Sequence, residues 1–311
     1  MTSPAVSFVI PARNEARTLD NTIASIERAF DGSKAPEIIV VDHASTDDTS
    51  AIAWGRKAKV IHEVVGPVGR LRNVGAEHAT CDILVFLDAD VRVTDDWRTH
   101  LPVALHQVAA FPRSVTGSMV GISEQPSWIE RHWFCGLRTR GRYLGSAHMI
   151  LRRDFFSELG GFDENLETGE DHELCERVRK VGGQILPIRD LAVVHEGFPK
   201  TLAEFVERER WHGLGDFASW PRILGSRIAV GTLFFLLWHL TFVVAVLSGG
   251  HILAAASVGV LLLACLLFAL RRLRIQGPDH LAVAVFLSYM YFVGRSLSLF
   301  QSLRRRLRRQ S

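Results

Sequence analysis

The chain has 311 residues, of which 48 % are hydrophobic, 22 % charged and 9 % aromatic. That composition excludes a disordered chain, a collagen-like repeat and a disulfide-stapled mini-protein. At about 100–200 residues per domain, the length fits one large domain or two ordinary ones. The net charge of +3 conceals an asymmetry: residues 222–311 hold eleven Lys/Arg and one acid, Asp279, a charge of +10. Subtracting these from the whole-chain 36 and 33 leaves 25 basic and 32 acidic residues in 1–221, a charge of −7. An acidic soluble part is joined to a basic, apolar tail. Cys81, Cys135, Cys175 and Cys265 are scattered, without the paired spacing of a zinc site or a disulfide framework, which suits a reducing compartment. The first residues, MTSPAVSFVIPARNEA, lack the basic leader and long apolar core of a signal peptide. The soluble part is therefore expected in the cytosol.

Val6-Ser7-Phe8-Val9-Ile10, stopped by Pro11, has the pattern of a short buried strand. Residues 17–30 carry helical spacing through Leu19, Ile23, Ile26 and Phe30. Glu37 to Val41 reads as a second strand and Thr46 to Trp54 as a second helix, with Asp47 and Asp48 suited to its first turn. Val60-Ile61, a helix over about 70–79 and a strand from Ile83 to Leu87 continue the alternation. Uniformly apolar strands separated by helices predict an α/β fold with a mostly parallel sheet covered on both faces. In such sheets ligands bind at the carboxyl ends of the strands.

Three strand ends carry polar clusters: Pro11-Ala12-Arg13-Asn14-Glu15, Asp42-His43-Ala44-Ser45 and Asp88-Ala89-Asp90. In an extended chain the two-residue period points Asp88 and Asp90 the same way, with Ala89 opposite. Paired carboxylates there suit Mg²⁺ or Mn²⁺ holding phosphate oxygens, against the plain alternative of a solvated loop. In Gly66-Pro67-Val68-Gly69-Arg70-Leu71-Arg72-Asn73-Val74-Gly75, glycines before a helix let amides approach an anion. Arg70 and Arg72 are placed to clamp a diphosphate or ribose, unless they are ordinary surface residues. Thr168-Gly169-Glu170-Asp171 opens a further helix through Leu174, Val178 and Val181, so its acids read either as caps or as a poised base. Trp128, Trp133 and Phe134, followed by Arg138, Arg140 and Arg142, read either as core aromatics with a basic loop or as an acceptor-facing element.

From Ile228 to Leu270 there is no Asp, Glu, Lys or Arg over 43 residues. At about 20 residues per span this fits two helices, near 228–247 and 252–270, folded back at Ser248-Gly249-Gly250-His251. Arg222 and Arg227 precede the pair and Arg271, Arg272 and Arg274 follow it, which puts both ends in the cytoplasm. The stretch from His280 to Gly294 reaches only about 22 Å as a helix, against a hydrocarbon core of about 30 Å. It is expected to be interfacial or re-entrant, with Arg304, Arg305, Arg306, Arg308 and Arg309 on the anionic leaflet. The alternative is a third span reaching Leu303, with Arg295 buried or paired. The expected layout is a catalytic domain over 1–221 in the cytosol and a membrane domain over 222–311, multi-pass in the cytoplasmic (inner) membrane.

VSFVIPARNEARTL, EIIVVDHASTDDT, RNVGAEHATCDILVFLDADV and GGFDENLETGEDHELCERVRKVG resemble, in order and spacing, the family 2 glycosyltransferases, over roughly residues 5–217. The resemblance implies a GT-A fold, a nucleotide-sugar donor, a divalent metal and inversion at the anomeric carbon. It places Pro11, Arg13, Glu15 and Asp42 in the nucleotide pocket, Arg72 and Asn73 near the ribose and diphosphate with Arg70 close by, and Asp88 and Asp90 at the metal. Asp171 matches the catalytic base, and His195 a position that supplies an extra metal ligand in some relatives. Glu207-x-x-Arg210-Trp211 is similar to the Gln-x-x-Arg-Trp of processive relatives, which implies acceptor contacts for Arg210 and Trp211, and Glu170, beside the base, is expected on the acceptor side as well. Asp42-His43-Ala44-Ser45 stands where the family usually reads Asp-Asp-Gly-Ser. The missing second acid weakens uracil specificity, although a UDP-sugar is the first expectation. The tail points to a lipid or lipid-linked acceptor, a polyprenyl phosphate among them, and no nucleic acid is expected. Two rivals are a nucleotidyltransferase, whose Gly-rich, Arg-containing N-terminal loop is missing, and a silent scaffold, which would have no reason to keep these acids.

Overall fold

The apolar runs of the N-terminal part pair side by side in the computed structural model, which describes residues 5–30, 32, 34–135, 137, 143–217 and 219–310, with side chains through Arg304. β1 (Val6–Ala12) is followed by α1 (Leu19–Ala29), β2 (Glu37–Asp42), α2 (Thr49–Gly55), β3 (Lys59–His62), α3 (Val68–Glu77) and β4 (Ile83–Leu87). After these come β5 (Val91–Val93), α4 (Trp97–Ala110), β6 (Ser114–Gly117), β7 (Val120–Gly121), β8 (His148–Arg152), α5 (Arg153–Glu158), α6 (Glu170–Lys180), β9 (Gln184–Pro187) and β10 (Val193–His195). Seven strands form one sheet in the order β3-β2-β1-β4-β8-β6-β9, and β5, β10 and β7 form a small second one. Within the large sheet only β8 runs against its neighbours, β4 and β6. The expected mostly parallel α/β sheet is what is found.

Alternate residues of the central strands feed two cores. Phe8, Ile10, Val85 and Leu87 pack with Leu19, Ile23, Trp97 and Leu101 of α1 and α4. Val9, Val41, Leu84 and Phe86 pack with Leu71, Phe155, Leu174 and Val178 of α3, α5 and α6. Pro11 does not stop β1. The strand continues through Pro11↔Val41 and Ala12↔Asp42, whereas its pairing with β4 ends at Val9↔Phe86. The missing N–H of Pro11 thus breaks no bond to β4.

The remainder is helical: α7 (Leu202–Asp216), α8 (Trp220–Gly225), α9 (Arg227–Leu247), α10 (His251–Arg272) and α11 (Pro278–Gln310). By compactness the chain divides into residues 1–124 with 139–198, and residues 125–138 with 199–311. The expected boundary at 221/222 falls inside the second unit, because α7 packs along α11. In that unit Trp133 is fully buried against Phe205, Phe268 and Tyr291, and Phe134 is also buried. These two aromatics are core, so only Trp128 of the three stays exposed. Arg138, Arg140 and Arg142 lie outside the described residues, as do the side chains of Arg305, Arg306, Arg308 and Arg309.

Among the described residues, three helices are long and apolar enough to cross a membrane: Arg227–Leu247, His251–Arg272 and Pro278–Arg304. Leu237, Leu240, Leu247, Ile252 and Leu262 are exposed on the first two. The third, expected to be interfacial or re-entrant or else a span reaching Leu303, is one continuous helix over the described residues. Arg295 does not end it, because its guanidinium is buried and paired with Glu209 and Asp216, each at 2.9 Å. A charge matched inside protein no longer marks the end of an apolar segment.

Candidate active site

The ends of β1, β2 and β4 converge at the carboxyl edge of the sheet, in the first unit. Asn14 ties two of the loops together: its amide nitrogen donates to Ser45 Oγ at 2.9 Å, and its Oδ1 accepts from the Thr46 amide at 2.8 Å. Ala44 sits at φ +50°, a left-handed conformation that L-residues adopt at a cost and glycine adopts freely. The backbone there keeps a glycine's conformation without the glycine. His43 Nδ1 lies 2.8 Å from the Glu63 carbonyl, which can only accept, so Nδ1 carries the ring proton. Asp42 is buried; its Oδ2 accepts from the Ser45 amide at 3.3 Å and lies 3.3 Å from His62 Nδ1. Its Oδ1 is buried and meets no donor among the described residues. Pro11 is buried in β1, while Arg13 is exposed.

Asp88-Ala89-Asp90 is a turn rather than extended chain: the Val91 amide donates to Asp88 O at 3.1 Å as β4 gives way to β5. Thr22 Oγ1 donates to Ala89 O at 2.8 Å and the Glu196 amide to Asp90 O at 2.8 Å, fixing the turn from both sides. The strand-period argument for parallel carboxylates therefore fails, but the turn still gathers them. One ligand atom from each of Asp88, Asp90 and His195 lies within 4.8 Å of the others. His195 arrives from β10, whose end pairs with β5 through His195↔Val91. Its Nε2 stands 3.7 Å from Asp90 Oδ2, and its ring stacks on Phe198. Two carboxylates and an imidazole form a donor set that fits Mn²⁺ or Mg²⁺. Glu15 accepts from Thr18 Oγ1 at 2.8 Å; burial raises its pKa, and the nearby charges of Asp90 and Asp88 add to the rise.

Arg72 is buried on α3. Its Nη2 donates to Asp88 Oδ1 at 2.6 Å and its Nη1 to Glu170 Oε1 at 2.7 Å. Burial works against its charge, but the Asp88 and Glu170 carboxylates outweigh it and hold the pKa above the ordinary arginine value. α3 comes close enough to the sheet to aim Arg72 here because Gly75 faces Val9 and Val41, where any Cβ would collide. Asn73 points elsewhere: it donates to the Phe162 carbonyl at 2.9 Å and accepts from the Phe162 amide at 2.8 Å, clamping the loop before α6. Arg70 is more exposed and bridges Glu63 and Glu164, each at 3.0 Å.

Gly169, at φ +81°, turns the chain into α6 and sets Glu170 and Asp171 in its first turn. Glu170 is buried, and its carboxylate is taken up by Arg72 and by Ser146 Oγ at 3.2 Å rather than presented outward. Burial raises its pKa; Arg72 works against the rise and Asp171 adds to it. Asp171 Oδ2 accepts from Tyr143 OH at 2.5 Å. Sequence reasoning missed Tyr143 and Ser146, which lie outside the matched motifs. Arg210 and Trp211 belong to the second unit, on α7, where Arg210 pairs with Glu207 and donates to Gln301 Oε1 at 3.0 Å.

Residues 7–156 match the family described as Glycosyl transferase family 2. This stretch of the chain belongs to that family. Over 224 residues the chain is 26 % identical to a pre-mycofactocin glycosyltransferase of Mycobacterium tuberculosis, covering 67 % of this chain and 46 % of the relative. The chain thus spans a little under half the length of that relative. Among solved structures, a mannosyltransferase from Pyrobaculum calidifontis in complex with GDP-Man and Mn²⁺ superposes with a TM-score of 0.64, at 18 % identity, over 97 % of this chain and 88 % of the other. Residues 1–349 of S. aureus TarS in complex with UDP-GlcNAc superpose with a TM-score of 0.53 at 15 % identity, over 97 % and 92 %. The fold is GT-A.

Proposed function

We propose that this protein is an inverting glycosyltransferase that moves a sugar from a nucleotide-sugar donor to a lipid or lipid-linked acceptor at the cytoplasmic face of a membrane. The observation that carries the reading is a chain of contacts. Asp88, gathered with Asp90 and His195, is joined through Arg72 to Glu170, the residue beside Asp171. One guanidinium thus ties the place suited to a diphosphate to the neighbour of a candidate base.

In this reading Asp42 Oδ1, a buried acceptor without a protein donor, takes an N–H of the nucleobase. Asp88, Asp90 and His195 would hold a divalent ion, and its charge would offset that building on the departing diphosphate. Asp171 removes the proton of the acceptor hydroxyl as its oxygen attacks the anomeric carbon from the face opposite the nucleotide. Asp171→Asn is then expected to fold and bind donor while transfer falls by about 10²–10⁴-fold. The membrane assignment is supported by the three long apolar helices, and the cytoplasmic face by Arg222, Arg227, Arg271, Arg272 and Arg274 at the ends of the first two. The test is release of nucleoside diphosphate by the detergent-purified protein from a panel of UDP- and GDP-sugars with Mn²⁺. Selective release from one of them is the expected result, and no release from any of them overturns the reading.

A further inference from the structure

We infer that Tyr143 is a positioning residue, whose hydroxyl commits Asp171 Oδ2 and leaves Oδ1 as the oxygen that receives the acceptor's proton. The inference rests on the reading of Asp171 as the general base. Oδ2 accepts from Tyr143 OH at 2.5 Å and from the Ser146 amide at 3.4 Å, so two donors fill its two lone-pair directions. Among the described residues Oδ1 accepts one hydrogen bond, from the His172 amide at 2.7 Å, and keeps a lone pair open.

In the transfer step the acceptor O–H proton passes to that lone pair. The oxygen's freed electron pair forms the bond to the anomeric carbon, and the pair of the breaking carbon–oxygen bond leaves with the diphosphate. Tyr143 donates throughout and does not exchange its proton. Burial, and after it the Asp171 charge, hold its phenol well above the usual tyrosine pKa. Charge coupling also links Asp171 to Arg72 from α3 and to Glu170 and Cys175 from α6. The His172 ring stands 5.8 Å from that of Tyr143. Two carboxylates side by side at the start of α6 repel, and a fixed donor on Oδ2 keeps Asp171 from turning toward Arg72, which Glu170 already occupies.

The test is a double-mutant cycle of the full-length protein in detergent, reading kcat and KM for the nucleotide sugar it hydrolyses best, with water as acceptor and Mn²⁺ present. Tyr143→Phe is expected to lower kcat about tenfold, the size that one hydrogen bond to a charged group carries, with donor KM unchanged. In the Asp171→Asn background the same change is expected to do nothing further. An unchanged kcat, a change confined to KM, or an equal loss in both backgrounds overturns the assignment. If Tyr143→Phe does not fold, 3-fluorotyrosine at position 143 replaces it, with a kcat change of twofold or more in the parent and none beside Asp171→Asn. An equal change in both backgrounds, or none in either, again overturns it. Hydrolysis that is insensitive to Asp171→Asn is a different failure, because it removes the base itself.

Discussion

Arg72 Nη2 lies 2.6 Å from Asp88 Oδ1, inside a protein interior that leaves this guanidinium almost no contact with water. The same fork holds Glu170, so one buried cation is matched by two carboxylates whose own elements, the β4–β5 turn and α6, are far apart in sequence. Lysine is a single point charge and cannot make this fork. Arg72→Ala is expected to cost about 3–5 kcal/mol, because it leaves Glu170 buried and unpaired. Adding Glu170→Gln to that variant should recover part of the loss. Chemical denaturation of the purified protein measures both, and a loss that Glu170→Gln deepens rather than relieves would show that charge burial is not the cause.

His195 brings the third candidate ligand from a different sheet, so the cluster is only as rigid as the β5–β10 pairing that brings it in. His195→Ala is expected to raise the Mn²⁺ concentration for half-maximal donor turnover by at least the roughly 10–100-fold that loss of a metal site's outer support costs. Saturating Mn²⁺ should restore most of the rate. Asp90→Ala should not be rescued in this way. A Mn²⁺ titration of nucleoside diphosphate release distinguishes the two outcomes.

What the sequence made legible and what it hid follow physical lines. Strand positions are readable because β1 and β4 are buried throughout and β2 over its last four residues, which makes their central runs apolar on both faces. Asp88 and Asp90 were found for a reason that does not hold in three dimensions: the chain turns there, and Thr22 and Glu196, distant in sequence, fix the turn. Trp133 and the third apolar helix stay open between two readings for a common reason. Local pattern offers a core position for Trp133 and a paired Arg295, but it cannot choose them, because the partners, Phe205 and Tyr291 for one and Glu209 and Asp216 for the other, are distant in sequence. Tyr143 gave no signal at all, because a single hydroxyl has no periodicity and its partner is 28 residues away.

His148, on β8 opposite Leu87, is buried completely. Its Nε2 lies 3.1 Å from Trp97 Nε1, and its Nδ1 lies 3.2 Å from the Ser118 amide nitrogen and 2.8 Å from Ser118 Oγ. Burial pulls its pKa from 6.5 down to about 3. The unfolded chain therefore binds this proton first. The stability that His148 permits is intact above its unfolded pKa of 6.5 and is lost as pH falls from there toward 3. At pH 5 the expected loss from this one group is on the order of 2 kcal/mol. His148→Gln should be less stable at neutral pH but flatter across pH 5–7, as measured by the pH dependence of the unfolding free energy. A slope equal to the parent's would assign the acid sensitivity to other groups.

Arg295 presents the same problem of a buried charge in the second unit. Glu209, almost wholly buried, receives Arg295 Nη2 on Oε2 at 2.9 Å and Arg208 Nη1 on Oε1 at 3.3 Å, while Asp216 takes the other end of Arg295. The guanidinium also lies 4.7 Å from the centre of the Tyr291 ring, whose face favours a cation. Removing Arg295 strands Glu209 only in part, since Arg208 stays in contact. The expected cost of Arg295→Met is therefore near the lower end for a broken buried pair, about 3 kcal/mol. Arg295→Met with Glu209→Gln removes the two most deeply buried charges of the cluster and should regain part of that loss, the partly exposed Asp216 being left to water and Ser226. Arg208→Ala on top of Arg295→Met should instead add to it. Melting temperatures of the four proteins in one detergent test the ordering, and a double variant no more stable than Arg295→Met would mean that the methylene stem of Arg295 matters more than its charge.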